Sequence, residues 1–160
     1  MRPVPTGRPD GWTLLAAWGP CGFSPVAPGT VGTLGAVPLA WAVSRLEPVA
    51  AWSFLVAFLA LAVYAATRAG RYWQLVDAPG IVIDEVLGYL VALAFLPFTW
   101  KTALLAFVFF RFFDILKPWP ASALDRWKTG LGVVLDDVAA GLYAWAWLRL
   151  LLLYFPGVLS

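Results

Sequence analysis

The sequence predicts an all-α fold: a compact integral-membrane helical bundle of about five helices, several short, with loops on its cytoplasmic face forming a functional site. Three observations predict it. The chain is 62% hydrophobic with a mean hydropathy of +0.81, so lipid is expected to be much of its solvent. Only 12% of its 160 residues are charged, against roughly 25% in a soluble domain. Its apolar runs are separated by Pro- and Gly-rich turns. At this length one domain over residues 1–160 is the natural reading, with 1–11 flexible.

The elements follow in order. The N-terminal segment carries Arg but no cleavable signal pattern. Residues 19–34, GPCGFSPVAPGTVGTL, form a Gly- and Pro-rich approach to a first helix over 33–45. The uncharged stretch from Pro48 to Thr67 is about long enough to span a bilayer and predicts a second helix over 49–68. A third is expected over 85–97. Pro97 and the short turn Phe98-Thr99-Trp100 join it as an antiparallel hairpin to a fourth over 102–116. Lys117-Pro118-Trp119-Pro120 ends that helix. A fifth covers 137–155. No internal repeat is visible, and the 10 Trp and 5 Tyr suit both core packing and interfacial belts.

Threading these helices through a bilayer puts the N-terminal segment and the 68–84 and 117–136 connections on one side. That side collects Arg2, Arg8, Arg68, Arg71, Lys117, Arg126 and Lys128, against Arg45 and Lys101 opposite. The excess predicts that the first side is cytoplasmic. On the same side fall Asp84 and Glu85, Asp114, and Asp136 and Asp137. Five of the 9 acidic residues thus stand beside apolar segments, where charge is expensive and usually functional.

Capping explains an acid in a first helical turn. Two adjacent acids, occurring twice, exceed what capping needs. Carboxylates clustered without His suit a hard cation such as Mg²⁺, with Mn²⁺ able to substitute. Asp114 lies three residues from both Arg111 and Lys117, which makes a local ion pair the plain alternative. A fixed lysine beside a metal is also how phosphate is bound. Thr30 and Thr33 fall in the Gly- and Pro-rich segment leading into the first helix, where backbone N–H groups can meet an anion, although such a segment is more often a structural loop. The Gly-Lys-Ser/Thr ending of a Walker loop is missing.

Elimination narrows the chemistry. The chain has no His, which excludes zinc-His sites, Ser-His-Asp triads and phosphohistidine. Cys21 is the single thiol, so no internal disulfide forms, and no Arg follows it in a cysteine-phosphatase loop. The net charge of +2 gives no case for nucleic acid. Carboxylates, a divalent cation, Lys/Arg and hydroxyls remain, a set that suits metal-activated water attacking a phosphate ester.

Four segments together resemble the phosphatidylglycerophosphatase A family. They are Ser24-Pro25-Val26-Ala27-Pro28-Gly29-Thr30-Val31-Gly32-Thr33, Ile83-Asp84-Glu85-Val86-Leu87-Gly88, Phe110-Arg111-Phe112-Phe113-Asp114-Ile115-Leu116-Lys117-Pro118-Trp119-Pro120 and Leu135-Asp136-Asp137-Val138-Ala139-Ala140-Gly141. The resemblance covers roughly residues 12–155. It departs at Asp77-Ala78-Pro79 and at Thr129-Gly130-Leu131-Gly132, which leaves the acids untouched. It implies a Mg²⁺-dependent bacterial inner-membrane enzyme of phospholipid biosynthesis. Such an enzyme hydrolyses phosphatidylglycerophosphate to phosphatidylglycerol and phosphate, facing the cytoplasm.

On this reading Asp84, Glu85, Asp114, Asp136 and Asp137 hold one or two metal ions. Asp136 or Glu85 is the general base. Lys117 and Arg111 stabilise developing charge, and Thr30 and Thr33 hold phosphate oxygens. The alternative is a divalent-cation transporter or a non-enzymatic divalent-binding membrane protein, which would place acids near the bilayer midplane. A lipid-scaffold subunit would need neither the paired acids nor the lysine.

Overall fold

The computed structural model describes residues 8–155, and among them every regular element is helical. Eight α-helices follow in order: α1 (Gly11–Ala16), α2 (Pro28–Gly35), α3 (Val37–Val43), α4 (Pro48–Trp73), α5 (Ile83–Leu93), α6 (Trp100–Leu116), α7 (Ala121–Leu124) and α8 (Gly130–Tyr154). A 3-10 turn over Cys21–Phe23 precedes α2. Of the segment expected to be flexible, residues 1–7 lie outside the described chain. Asp10 caps α1, its carboxylate accepting from the Thr13 N–H at 2.8 Å.

α4 and α8 are long and apolar enough to cross a bilayer, with mean hydropathies of 2.2 and 1.3. At 11 residues α5 is about 16 Å long and reaches only part of the way. α6 turns Trp100, Leu104, Val108, Phe112 and Ile115 outward, one exposed apolar stripe along its length. α4 exposes Val49, Trp52 and Val56, and α8 exposes Leu142, Leu150 and Leu153. The bundle therefore shows apolar side chains both inside and out, as a helix bundle in lipid does.

The single helix expected over 33–45 is two helices. Pro38, in the first turn of α3, has no N–H to give the preceding turn, and its ring crowds the carbonyl four residues back. Continuous hydropathy hid this break. The expected fifth helix begins seven residues early, at Gly130, with Thr129 capping it through the Gly132 N–H at 3.1 Å.

α5 runs between the other long helices. Its Tyr89 hydroxyl donates to the Ala103 carbonyl of α6 at 2.9 Å, and the Trp145 indole of α8 donates to the Ala94 carbonyl at 2.8 Å. Gly88 and Gly141 let α5 and α8 approach closely. A Cβ on Gly88 would stand 2.7 Å from the Asp137 carbonyl oxygen, and one on Gly141 3.2 Å from Val91 Cβ. Small residues at such a crossing are how helices meet in membranes. α5 and α8 run the same way, antiparallel to α4 and α6. The start of α5, the end of α6 and the start of α8 thus gather at one end of the bundle.

Candidate active site

At that end lies a cavity of about 180 Å³. Asp77, Asp84, Glu85, Asp114, Asp136 and Asp137 line it, six of the chain's 9 acidic residues, together with Lys117. Asp77 comes from the turn before α5 and the others from helix ends. Asp84 and Glu85 occupy the first turn of α5, Asp114 the last turn of α6, and Asp136 and Asp137 the second turn of α8. Because α8 starts at Gly130, its acid pair lies beyond the free N–H groups of the first turn. Thr129 does the capping there, so capping does not account for that pair.

Asp84, Asp136 and Asp137 are buried, with 6%, 4% and 4% of their surface exposed. Asp84, Glu85 and Asp137 each offer a carboxylate oxygen, and these oxygens lie within 4.8 Å of one another. Three carboxylates so close repel strongly unless a cation or protons neutralise them. Among the described residues, Glu85 Oε2 is the buried side-chain oxygen with no hydrogen-bond partner. An all-oxygen donor set with one oxygen unsatisfied fits a hard divalent cation such as Mg²⁺.

The two cations at the site have separate partners. Arg111 Nη1 lies 2.5 Å from Asp114 Oδ2 and 3.8 Å from Glu85 Oε1. Lys117 Nζ donates to Asp136 Oδ2 at 2.5 Å and to Asp125 Oδ1 at 2.7 Å. The local ion pair that is the plain alternative for Asp114 forms with Arg111 and not with Lys117. Lys117 is the residue past the end of α6, and its φ of +45° turns its side chain off the helix track. That left-handed conformation costs a non-glycine residue about 1–2 kcal/mol and is met at functional sites. Burial opposes the charge on Lys117, but its bonds to Asp125 and Asp136 outweigh this and hold its pKa above the ordinary value. The Lys117 hydrogen bond in turn lowers that of Asp125.

Gly29, in the first turn of α2, meets the site at close range. A Cβ there would stand 3.0 Å from Glu85 Cδ and 3.2 Å from Arg111 Nη1, and closer still to Glu85 Oε1. α2 has no side-chain cap, and Ala27 enters it at φ +45°. Neither Thr30 nor Thr33 is among the residues lining the cavity. Thr33 is fully buried and its hydroxyl donates to the Gly29 carbonyl at 2.8 Å, so its proton is committed inside the helix.

Sequence reasoning missed Asp77 and Asp125. Both lie in connecting segments, outside the long apolar runs that make a carboxylate conspicuous. Asp77 sits in the Pro/Gly turn before α5, and Asp125 ends α7, eight residues from the lysine that binds it.

A profile of the family described as phosphatidylglycerophosphatase A matches residues 14–152. The phosphatidylglycerophosphatase A of Escherichia coli K12 is 34% identical over 149 residues, 91% of this chain and 83% of that protein. The Haemophilus influenzae protein of the same name is 36% identical over 134 residues, 82% of each chain. A Bacteroides thetaiotaomicron protein with the provisional name phosphatidylinositol-3-phosphatase is 36% identical over 132 residues, 77% of this chain and 82% of that one. No solved structure matches.

Proposed function

This chain belongs to the phosphatidylglycerophosphatase A family and is a phosphoric monoester hydrolase, and from that premise we propose that it removes the terminal phosphate of phosphatidylglycerophosphate in a Mg²⁺-dependent reaction. The observation that carries the metal dependence is the buried group of Asp84, Glu85 and Asp137, with oxygens within 4.8 Å of one another and one oxygen unpartnered. These three residues would hold the ion. When bound, it would lower the pKa of a water and neutralise phosphate charge.

The chain's own groups divide the remaining work. Asp136 is engaged at both oxygens: Oδ1 accepts from the Asp137 N–H at 3.0 Å and Oδ2 from Lys117. It therefore positions Lys117, and Glu85, with one oxygen facing Arg111 and the other without a partner, would keep one oxygen to take the proton of the attacking water while the other holds the ion. Asp125 and Asp136 hold the Lys117 ammonium at the cavity wall, where its third proton can meet a phosphate oxygen. Arg111 neutralises Asp114 and faces Glu85, which keeps both carboxylates in place. The Gly29 and Thr30 N–H groups open α2 next to Glu85, a setting that favours an anion.

The membrane setting follows the same reading. The cavity end of the bundle faces the cytoplasm of a bacterial inner membrane, and the lipid chains lie against the apolar helices. The acids stand at helix ends rather than at mid-bundle, which supports hydrolysis over ion transport.

The test is phosphate release by protein stripped with EDTA. The expected result is loss of turnover and its return on adding Mg²⁺ or Mn²⁺. Full turnover by protein shown to be metal-free by elemental analysis would overturn the metal dependence.

A further inference from the structure

Between the C-terminal end of α4 and the N-terminal end of α8 lies another cavity, of about 510 Å³. Its lower walls are apolar, with Val63 and Ala66 from α4 and Leu131 from α8. Gln74, Arg71 and Lys128 supply polar groups from the two helix ends. Arg71 and Lys128 are exposed, and neither forms an ion pair among the described residues, whereas Arg68, Arg111 and Lys117 each hold a carboxylate. The charge of Lys128 reaches Asp125, but that carboxylate is already bound by Lys117. Two cations with no carboxylate in ion-pair contact, beside apolar walls, make a site for an anionic group attached to a hydrocarbon chain.

This cavity shares its walls with the acidic one. Residues 74–76 line the first, and the next three, Asp77, Ala78 and Pro79, line the second. At the start of α8, Lys128 to Leu131 line the first, and Val133, Asp136 and Asp137 of the helix line the second. The two linings therefore adjoin along the chain, one residue apart in the connecting segment and two residues, about 3 Å of rise, apart at the start of α8. The proposed substrate carries two phosphates, a terminal monoester and a phosphodiester, with one glycerol between them. Six bonds of about 1.5 Å separate the two phosphorus atoms, so their reach is at most about 9 Å. In the acidic cavity the third proton of Lys117 serves the terminal phosphate and Arg111 is paired with Asp114, so neither is left for a second phosphate.

We propose that the α4–α8 cavity is the subsite for the substrate's phosphodiester, with Arg71 and Lys128 as its counter-charges and an acyl chain along Val63, Ala66 and Leu131. This rests on the phosphatase reading above and deepens it. It makes the enzyme selective for a lipid monoester that carries a second phosphate.

The experiment compares wild type with Arg71→Gln/Lys128→Gln in detergent micelles free of other phospholipid. Phosphate release is measured from phosphatidylglycerophosphate and from phosphatidate with the same chains, and thermal melting checks that both proteins are folded. Wild type should prefer the two-phosphate lipid. In the double variant the ratio of the two kcat/KM values should fall about tenfold, mostly through KM. Arg71→Lys/Lys128→Arg, which keeps both charges, should retain most of the ratio. An unchanged ratio, or a wild type without preference, would overturn the subsite. So would a defect that appears only when anionic phospholipid is added, because the cations would then serve the surrounding bilayer. If wild type releases phosphate from neither lipid, the phosphatase reading itself has failed.

Discussion

Gly29→Ala tests whether the position of Glu85 matters to the reaction. Gly29 is not an acid, a cation or a hydroxyl, so its side chain has no chemistry to lose. The new methyl group would stand 3.0 Å from Glu85 Cδ and 3.2 Å from Arg111 Nη1. Ordinary carbon contacts begin at about 3.5 Å, and Glu85 Oε1 is nearer than Cδ, so the carboxylate must shift by about 1 Å. A displacement of that size costs about 10²-fold in rate when the group acts on the reacting atoms. The helix itself gains, because Ala is better than Gly inside a helix by about 1 kcal/mol. Stability and activity should therefore part company, with kcat/KM down about 100-fold and the melting temperature within a few degrees of wild type. The assay is phosphate release in detergent, paired with a thermal melt. A folded variant with activity within about threefold of wild type would refute the placement of Glu85 in the reaction.

Other perturbations probe the remaining parts. Asp84→Asn and Asp137→Asn keep shape and remove charge, so each should cut kcat/KM by about 10²-fold or more while the protein still folds. Near-normal rates for both would show that these acids only support the helices. Lys117→Met should cost about 10²-fold in kcat and about 2 kcal/mol of stability, because buried Asp136 loses its partner. Lys117→Arg should also be impaired, since a guanidinium fork does not replace an ammonium held between two carboxylates; lost stability with unchanged turnover would leave the lysine a purely structural role. In a Cys21→Ser background, a membrane-impermeant thiol reagent on intact cells should label Trp100→Cys and spare Arg126→Cys until the membrane is broken. The opposite pattern would invert the orientation.

Much of this architecture was legible because charge is scarce in the chain. With 9 acids in 160 residues, each carboxylate beside an apolar run stood out, and simple threading brought three of the clusters to one end. The structure gathers the same five acids in one cavity. Helix ends were less legible. Gly130 and Gly132 looked like a loop, yet they lie in a helix, because a glycine there lets α8 sit against Thr67 and Trp127. The break at Ala36 was masked by unbroken hydropathy, and α1 was missed because its cap, Asp10, lies in a polar stretch with little periodicity. The direction of Lys117 was illegible for a different reason. Three-residue spacing places it beside Asp114 only if the helix continues, and its positive φ sends it to Asp125 and Asp136 instead.

The central claim is that Asp84, Glu85 and Asp137 form the metal site of a lipid phosphatase. Anomalous scattering from Mn²⁺ in crystals of the active protein tests it most directly. The account predicts a peak bound by carboxylate oxygens of these three residues, lost in Asp137→Asn. Active protein whose Mn²⁺ binds elsewhere, or not at all, would contradict it.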